Sequence, residues 1–288
     1  MLNGSIRTLM RAVVMAVLVV AALDTSSGQE MFSRGQNIAP VFEGWEENPD
    51  GTFDIVFGYF NRNVDEHLSI PVGPDNSLDP VGPDQGQPTY FLPRRNHFVF
   101  RVRVPKDFGK KELVWTLTVH GKTERAYASL RPEYLIDDEI MMLNVADIRG
   151  GEAGNQRPVV RVEGATRRTA RVGEPLLLEA FASDDGRPKP RPAPAPSSAV
   201  GSSLGLRVAW FVYRGPGEHV TFDPPQFKTY PDYRRDSPWT EGWKPPPLPP
   251  DGKFPVRATF GVPGTYVVRV MAHDGGLSST ADVTITVD

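Results

Sequence analysis

Gly201-Ser202-Ser203-Leu204-Gly205 has the Gly-x-Ser-x-Gly spacing of a nucleophile elbow. That chemistry needs a strand before the serine and a helix after it, so that a strained turn exposes the hydroxyl. This copy ends a Pro, Ala and Ser-rich stretch, so no nucleophile is expected from it. His67, His97, His120, His219 and His273 show no paired spacing that would set two ligands on one helix or hairpin face, and a zinc site is not expected. Acid/base hydrolysis needs two carboxylates at a defined separation in space, and no spacing here singles out a pair. Three carboxylates remain, Asp184, Asp185 and Asp274, in Asp184-Asp185-Gly186 and Asp274-Gly275, each group following an apolar run and leading into glycine. Their oxygens are of the hard type that Ca²⁺ takes in sets of about six to eight. The competing expectation, which we favour, is that they accept backbone N–H bonds within their own turns, since three carboxylates are few and no Asp-x-Asp-x-Asp spacing is present. No other cofactor is expected. Finally, the stretch from Pro224 to Pro250 interleaves aromatic rings with prolines. Those rings either hold the segment against a protein face or offer Tyr230, Tyr233, Trp239 and Trp243 as a platform for a sugar ring or a polyproline-like ligand.

Several function classes fall to composition. The 288 residues carry 32 Lys plus Arg against 35 Asp plus Glu, a formal charge of −3, without the basic excess of a nucleic-acid binder. With no Cys, thiol catalysis, disulfides, Cys-ligated metals and a lipidated N-terminal cysteine are excluded. Arg7 and Arg11 precede an apolar run, Ala12 to Leu23, followed by Thr25-Ser26-Ser27-Gly28-Gln29. This is the three-part pattern of a secretory signal peptide, residues 1–28, with cleavage near Gly28. The run is shorter than the roughly 20 residues of a membrane-spanning helix. No membrane insertion is therefore expected after cleavage, the alternative being a short anchor left in place. The expected location is periplasmic or extracellular.

The elements that must position these residues read as strands. Phe53, Ile55, Phe57 and Tyr59 alternate with Val56 and Phe60, which suits a central strand. Phe98 to Val104 and Leu113 to Val119 alternate apolar with polar, and His120-Gly121-Lys122 turns the chain into a hairpin partner at Glu124 to Ser129. Residues 29–148 are expected as an antiparallel sandwich, with Tyr134 to Val145 a short helix or edge strand. Pro71-Val72-Gly73-Pro74-Asp75-Asn76 is nearly repeated by Pro80-Val81-Gly82-Pro83-Asp84-Gln85, two copies that make a turn-rich loop and not a solenoid. A linker at 149–156 precedes a second series of short strands at 157–288, interrupted at 187–203 and 224–250. The first insertion is too poor in apolar groups to order itself and is expected to be mobile.

The second half resembles a known family. Val172-Gly173-Glu174-Pro175, Ala182-Ser183-Asp184-Asp185-Gly186, Val208-Ala209-Trp210, Pro263-Gly264-Thr265-Tyr266, His273-Asp274-Gly275-Gly276 and the closing Val283 to Val287 look like the polycystic-kidney-disease (PKD) repeat, an immunoglobulin-like module. The Phe-Gly-Asp-Gly turn of that family is replaced here by Phe211-Val212-Tyr213-Arg214-Gly215. The resemblance implies an Ig-like sandwich, with the loops bearing Asp184, Asp185 and Asp274 at one end. The N-terminal half is similar to uncharacterised exported bacterial proteins, which implies no activity. The fold expectation is therefore all-β: two antiparallel β-sandwich (Ig-like) domains in tandem, the second with long Pro-rich insertions. The functional expectation is an exported, non-catalytic binding or structural protein with a protein partner, a subunit of a periplasmic or cell-surface assembly. A carbohydrate-binding accessory module is the first alternative and a hydrolase with an unrecognised site the second.

Overall fold

The computed structural model describes residues 31–146, 154–195 and 201–288. The signal-peptide expectation, most of the proposed linker and residues 196–200 of the first insertion lie outside the described residues. The first half runs through β1 (Ile38–Glu47), β2 (Phe53–Asn61), β3 (Leu68–Ser69), β4 (Asn76–Asp79), β5 (Tyr90–Phe91), β6 (Arg94–Val104), β7 (Leu113–Val119) and β8 (Lys122–Ala128). A 3-10 turn at Pro132–Tyr134 and a helix, α1 (Asp138–Ala146), follow. Sheets β1-β2-β6 and β4-β7-β8 close on one core, with β3 and β5 paired beside them. The alternating apolar positions of the sequence build that core. Ile55, Phe57 and Tyr59 face Phe100, Val102, Leu117 and the fully buried Trp115. Trp115 meets the Phe100 ring edge-on at 4.9 Å, and its indole N–H reaches Asn76 Oδ1 at 3.0 Å. A buried polar group needs its partners, and Asn76 donates in turn to the carbonyls of Ile70 and Pro88.

β1 was not legible in the sequence, because Pro40 and Gly44 interrupt its alternation. It is an edge strand, where proline is tolerated, and it shifts register between Phe42 and Gly44. Gly44 has φ +138°, and a Cβ there would lie 2.6 Å from Ile136 Cγ2 and 2.7 Å from the Tyr134 carbonyl. Only glycine lets the chain after β8 pass this close.

The second half contains β9 (Val159–Val162), β10 (Arg167–Ala170), β11 (Leu176–Ser183), β12 (Arg207–Arg214), β13 (Val220–Asp223), β14 (Lys253–Phe260), β15 (Gly264–His273) and β16 (Ser278–Val287). Sheets β10-β16-β15-β12 and β13-β14-β11-β9 share a second core, in which Trp210 is buried and donates its indole N–H to the Phe254 carbonyl at 3.1 Å. Among the described residues the molecule is all-β apart from α1 and short 3-10 turns, in two sandwiches whose strands pair antiparallel except that β10 runs parallel to β16. β10 reads Arg-Arg-Thr-Ala, too polar to announce a strand, and follows β16 along its outer side.

Both sandwiches lie within one compact unit, Ser33–Asp288. The near-repeat explains how they are joined. Its first copy serves the first sandwich, where the Asp75 carbonyl accepts from Thr118 N–H and Asn76 anchors Trp115. The second copy turns to the other side: Asp84 takes the Arg214 guanidinium at 2.8 and 3.1 Å. The chain after it continues the seam, with Tyr213 donating its hydroxyl to the Gly86 carbonyl and Thr89 N–H reaching the Tyr213 carbonyl. Tyr90 and Leu92, from the first half, pack into the second core.

Candidate functional site

The insertion at 224–250 is ordered without regular secondary structure. Its organiser is Asp232, a residue the sequence reading passed over. The buried carboxylate receives Lys228 Nζ at 2.7 Å, Arg234 Nη2 at 2.8 Å and the Arg234 backbone N–H at 3.0 Å. Burial alone would raise its pKa, but the hydrogen bonds from Arg234 and Lys228 outweigh it and hold the carboxyl well below the usual range. Arg234 also bridges to Asp65 of the first sandwich at 2.6 Å. The only sequence signal for this role was the placing of Asp232 between two cations, Lys228 and Arg234.

The four rings expected as a platform separate into two groups. Tyr230 and Trp239 are 6% and 8% exposed. Tyr230 packs against His67 with its hydroxyl 3.5 Å from Nε2. Trp239 lies under the buried Arg207, whose guanidinium carbon is 6.0 Å from its ring centre. Two of the four are thus given to the protein's own packing, for the reason that ordering a segment this long needs buried aromatic area to offset its entropy. Trp243 is half-buried against the edge of Phe227, and Tyr233 alone is exposed, at 45%.

The insertion at 187–203 departs from the expected mobility where it is described. Arg191 and Leu204 exchange backbone bonds, and Ala193 N–H reaches the Trp243 carbonyl at 2.9 Å. Backbone bonding to the second insertion supplies the order that apolar side chains could not. Ser203 is fully buried, its carbonyl accepting from Arg207 Nη1 at 2.6 Å. Its hydroxyl faces the same guanidinium at 3.4 Å, and among the described residues it makes no hydrogen bond to a carboxylate or imidazole. His273 accepts Gly275 N–H on Nδ1, and burial, followed by the Arg207 charge, pushes its pKa well below 6.5.

The three aspartates serve turns. Asp184 accepts from Gly186 N–H, Asp185 from Arg187 N–H and Gln156 N–H, and Asp274 from Gly276 N–H, Leu277 N–H and Asn155 Nδ2. Burial, then the charges of Asp274 and Asp185, lift Asp184 to about 6 against the bond from Gly186. Burial also raises Asp274. Among the described residues no group of three or more His, Asp or Glu side chains is placed to hold a metal ion.

No sequence reading pointed to the cleft between the sandwiches. β15 pairs Arg269 with Asp282, Met271 with Thr280 and His273 with Ser278 on β16, which sets these residues on the outer face of the sheet, opposite β6. Arg269 is fixed there. Its guanidinium carbon stands 3.4 Å from the Tyr213 ring centre, it makes two bonds to Asp282 at 2.7 and 2.8 Å, and it donates to the Val99 carbonyl at 2.9 Å. An inner space of about 100 Å³ adjoins an open one of about 600 Å³.

No protein-family model matches this chain, and no curated protein matches it. Among solved structures, domains 4 and 5 of the S-layer protein SbsC are 9% identical over 62% of this chain, with a TM-score of 0.24; the match spans 65% of that chain, just under two thirds. The fibronectin(III)-like modules of Clostridium thermocellum CbhA are 12% identical over 88% of this chain and 94% of theirs, at 0.24. The titin M3 domain is 13% identical over 46% of this chain and 97% of its own, also at 0.24. Scores this low carry no argument, and the sandwich architecture stands on the strand registers above. Among the described residues no helix is long and apolar enough to cross a membrane.

Proposed function

We propose that this chain is an exported, non-catalytic binding or structural protein that docks a protein partner, as one subunit of a periplasmic or cell-surface assembly. The observation that carries the reading is a run of exposed apolar side chains beside α1. Tyr134, Leu135, Ile140 and Leu143 lie 37–49% exposed within ten residues. Ile140 and Leu143 stand one helical turn apart while Met141 and Met142 fill a small core with Val56 and Leu277. Scattered exposed leucines need no explanation, but four large apolar groups exposed within ten residues, on the 3-10 turn, just after it and on α1, are the mark of an interaction surface. The leader-like N-terminal sequence supports export. Burial of Tyr230 and Trp239 removes half of the platform on which a glycan-binding reading rested.

The test is isolation of the tagged protein from its native envelope, alone and as the double variant Ile140→Asp, Leu143→Asp. Wild type should carry a stoichiometric protein partner. The double variant should lose it while melting within a few degrees of wild type, because exposed substitutions usually change stability by about 0.5 kcal/mol or less. Wild type recovered as a lone chain would overturn the proposal.

A further inference from the structure

The cleft between β6 and the β15–β16 hairpin has a charge distribution that the rest of the surface does not predict. Formal charge over the whole chain is −3. Yet among the described residues the inner space is lined by four arginines and two histidines and by no carboxylate, and the open part by three arginines against Glu46 and Asp282. Glu46 and Asp282, on the wall of the open part, hold Arg101, Arg157 and Arg269, and two further counter-charges are set back. Glu43, whose side chain is 8% exposed, holds Arg95 through a bidentate bridge at 2.7 and 2.8 Å, and Asp138 holds Arg157 from α1; neither lines the cleft. This arrangement fixes the guanidinium groups without filling the space in front of them.

Donor capacity remains on that side. Arg101 gives only its Nε to Glu46, at 2.6 Å, which leaves both terminal nitrogens. Ser278 and Thr280, on the same face of β16 as Asp282, line the open part, and their hydroxyls make no side-chain hydrogen bond to a described residue. Guanidinium forks match the geometry of carboxylate, sulfate and phosphate oxygens. A space of about 600 Å³ lies within the usual range for a small-molecule site, and sites of this kind favour the boundary between two domains. With Arg269 already locked against Tyr213 and Asp282, little side-chain freedom is left to lose on binding.

We propose that this cleft is a binding site for a small organic oxyanion, a carboxylate, sulfate or phosphate on a compact hydroxylated body. Arg101 holds the oxyanion through its terminal nitrogens, with Arg157 beside it, and Ser278 and Thr280 hold the body. Arg269 supplies fixed positive charge behind them. This goes beyond partner docking, because it assigns a small ligand to the seam and leaves the α1 surface free.

Calorimetric titration of the whole protein with glucuronate, glucose 6-phosphate, inorganic phosphate and glucose tests it. Both anionic sugars should bind at least about tenfold more tightly than glucose, the scale of one charge-assisted hydrogen bond. Inorganic phosphate alone should bind more weakly than the phosphorylated sugar, because it lacks the body. Added salt should weaken every anionic arm. Arg101→Gln, which leaves Glu46 its bond from Arg157, should lower affinity about tenfold or more. Thr280→Val, which touches no ion pair, should lower it several-fold and serves if Arg101→Gln fails to fold. Glucose binding as well as glucuronate, silence in every arm, or affinity unchanged in a folded Arg101→Gln or in Thr280→Val would overturn the proposal. The variant Ile140→Asp, Leu143→Asp should bind these anions normally, so that failure here and failure of the partner reading are separate results.

Discussion

The two sandwiches close their cores differently. The first fills its interior from its own strands, with Trp115 enclosed by the rings of Phe57, Phe91 and Phe100. The second is mainly aliphatic around Trp210 and takes in three groups from outside its strands: Tyr90 and Leu92 from the first half and Tyr230 from the insertion at 224–250. Contact is close enough that a Cβ on Gly217 would lie 2.6 Å from the Tyr90 ring. A tandem of similar modules can therefore be asymmetric in stability, one self-sufficient and the other completed by its neighbour.

The largest expected effect breaks that asymmetry directly. Tyr90→Ala should cost about 3 kcal/mol, at the lower end of large-to-small aromatic substitutions because the ring sits at a seam that can partly relax. Hydrogen exchange should then accelerate across Arg207–Arg214 while Leu113–Val119 stays protected. A loss under about 1 kcal/mol, or exchange confined to Leu113–Val119, would mean that the second core does not depend on the first half.

Next in size is Asp232→Asn. Breaking a buried ion pair costs about 3–5 kcal/mol, but Arg234 and Lys228 are both substantially exposed, so about 2 kcal/mol is expected. Trypsin should then cut after Arg234 and Arg235 much faster than in wild type. The depressed carboxyl also sets a pH window. Its stabilisation is present above the unfolded value of about 4 and is lost as pH falls through that range towards the folded value. A wild-type acid transition matching that of Asp232→Asn would remove Asp232 as the organiser.

Asp184→Asn is the smallest and has the opposite sign. With a carboxyl pushed up to about 6, wild type should lose stability as pH rises from about 4 through 6. The amide cannot ionise and keeps an acceptor for Gly186 N–H, so the variant should be about 1 kcal/mol more stable at pH 7 and equal to wild type at pH 4. Parallel melting curves at both pH values would refute this.

Most strands were legible in the sequence: β2, β6, β7 and β8 from alternation and a hairpin turn, and β9, β11, β12, β14, β15 and β16 as short apolar runs between turn signals. β1 was hidden by Pro40 and Gly44, and β10 and β13 by their brevity and polarity. The positions of Tyr90, Tyr230 and Trp239 illustrate a deeper limit. Composition announces that a ring needs burial, but which core receives it is decided by long-range packing. The cleft was invisible for the same reason, since Arg101, Arg157 and Arg269 lie far apart in the chain and on unrelated elements. Asp232 was nearly as hidden, because its placing between Lys228 and Arg234 is the one local mark that separates this buried carboxylate from the many solvated ones.

β12 ends one side of its sheet, and an unpaired strand of that length is a template on which another chain can nucleate. Here the outward N–H of Trp210 is taken by Gln226 Oε1 at 2.9 Å and the outward carbonyl of Tyr213 by Thr89 N–H at 3.2 Å. The insertion at 224–250 and the first half thus each occupy part of this border. A chain adding to this edge as a further strand would have to displace both, so the cost of augmentation there is set by how firmly Gln226 and Thr89 are held.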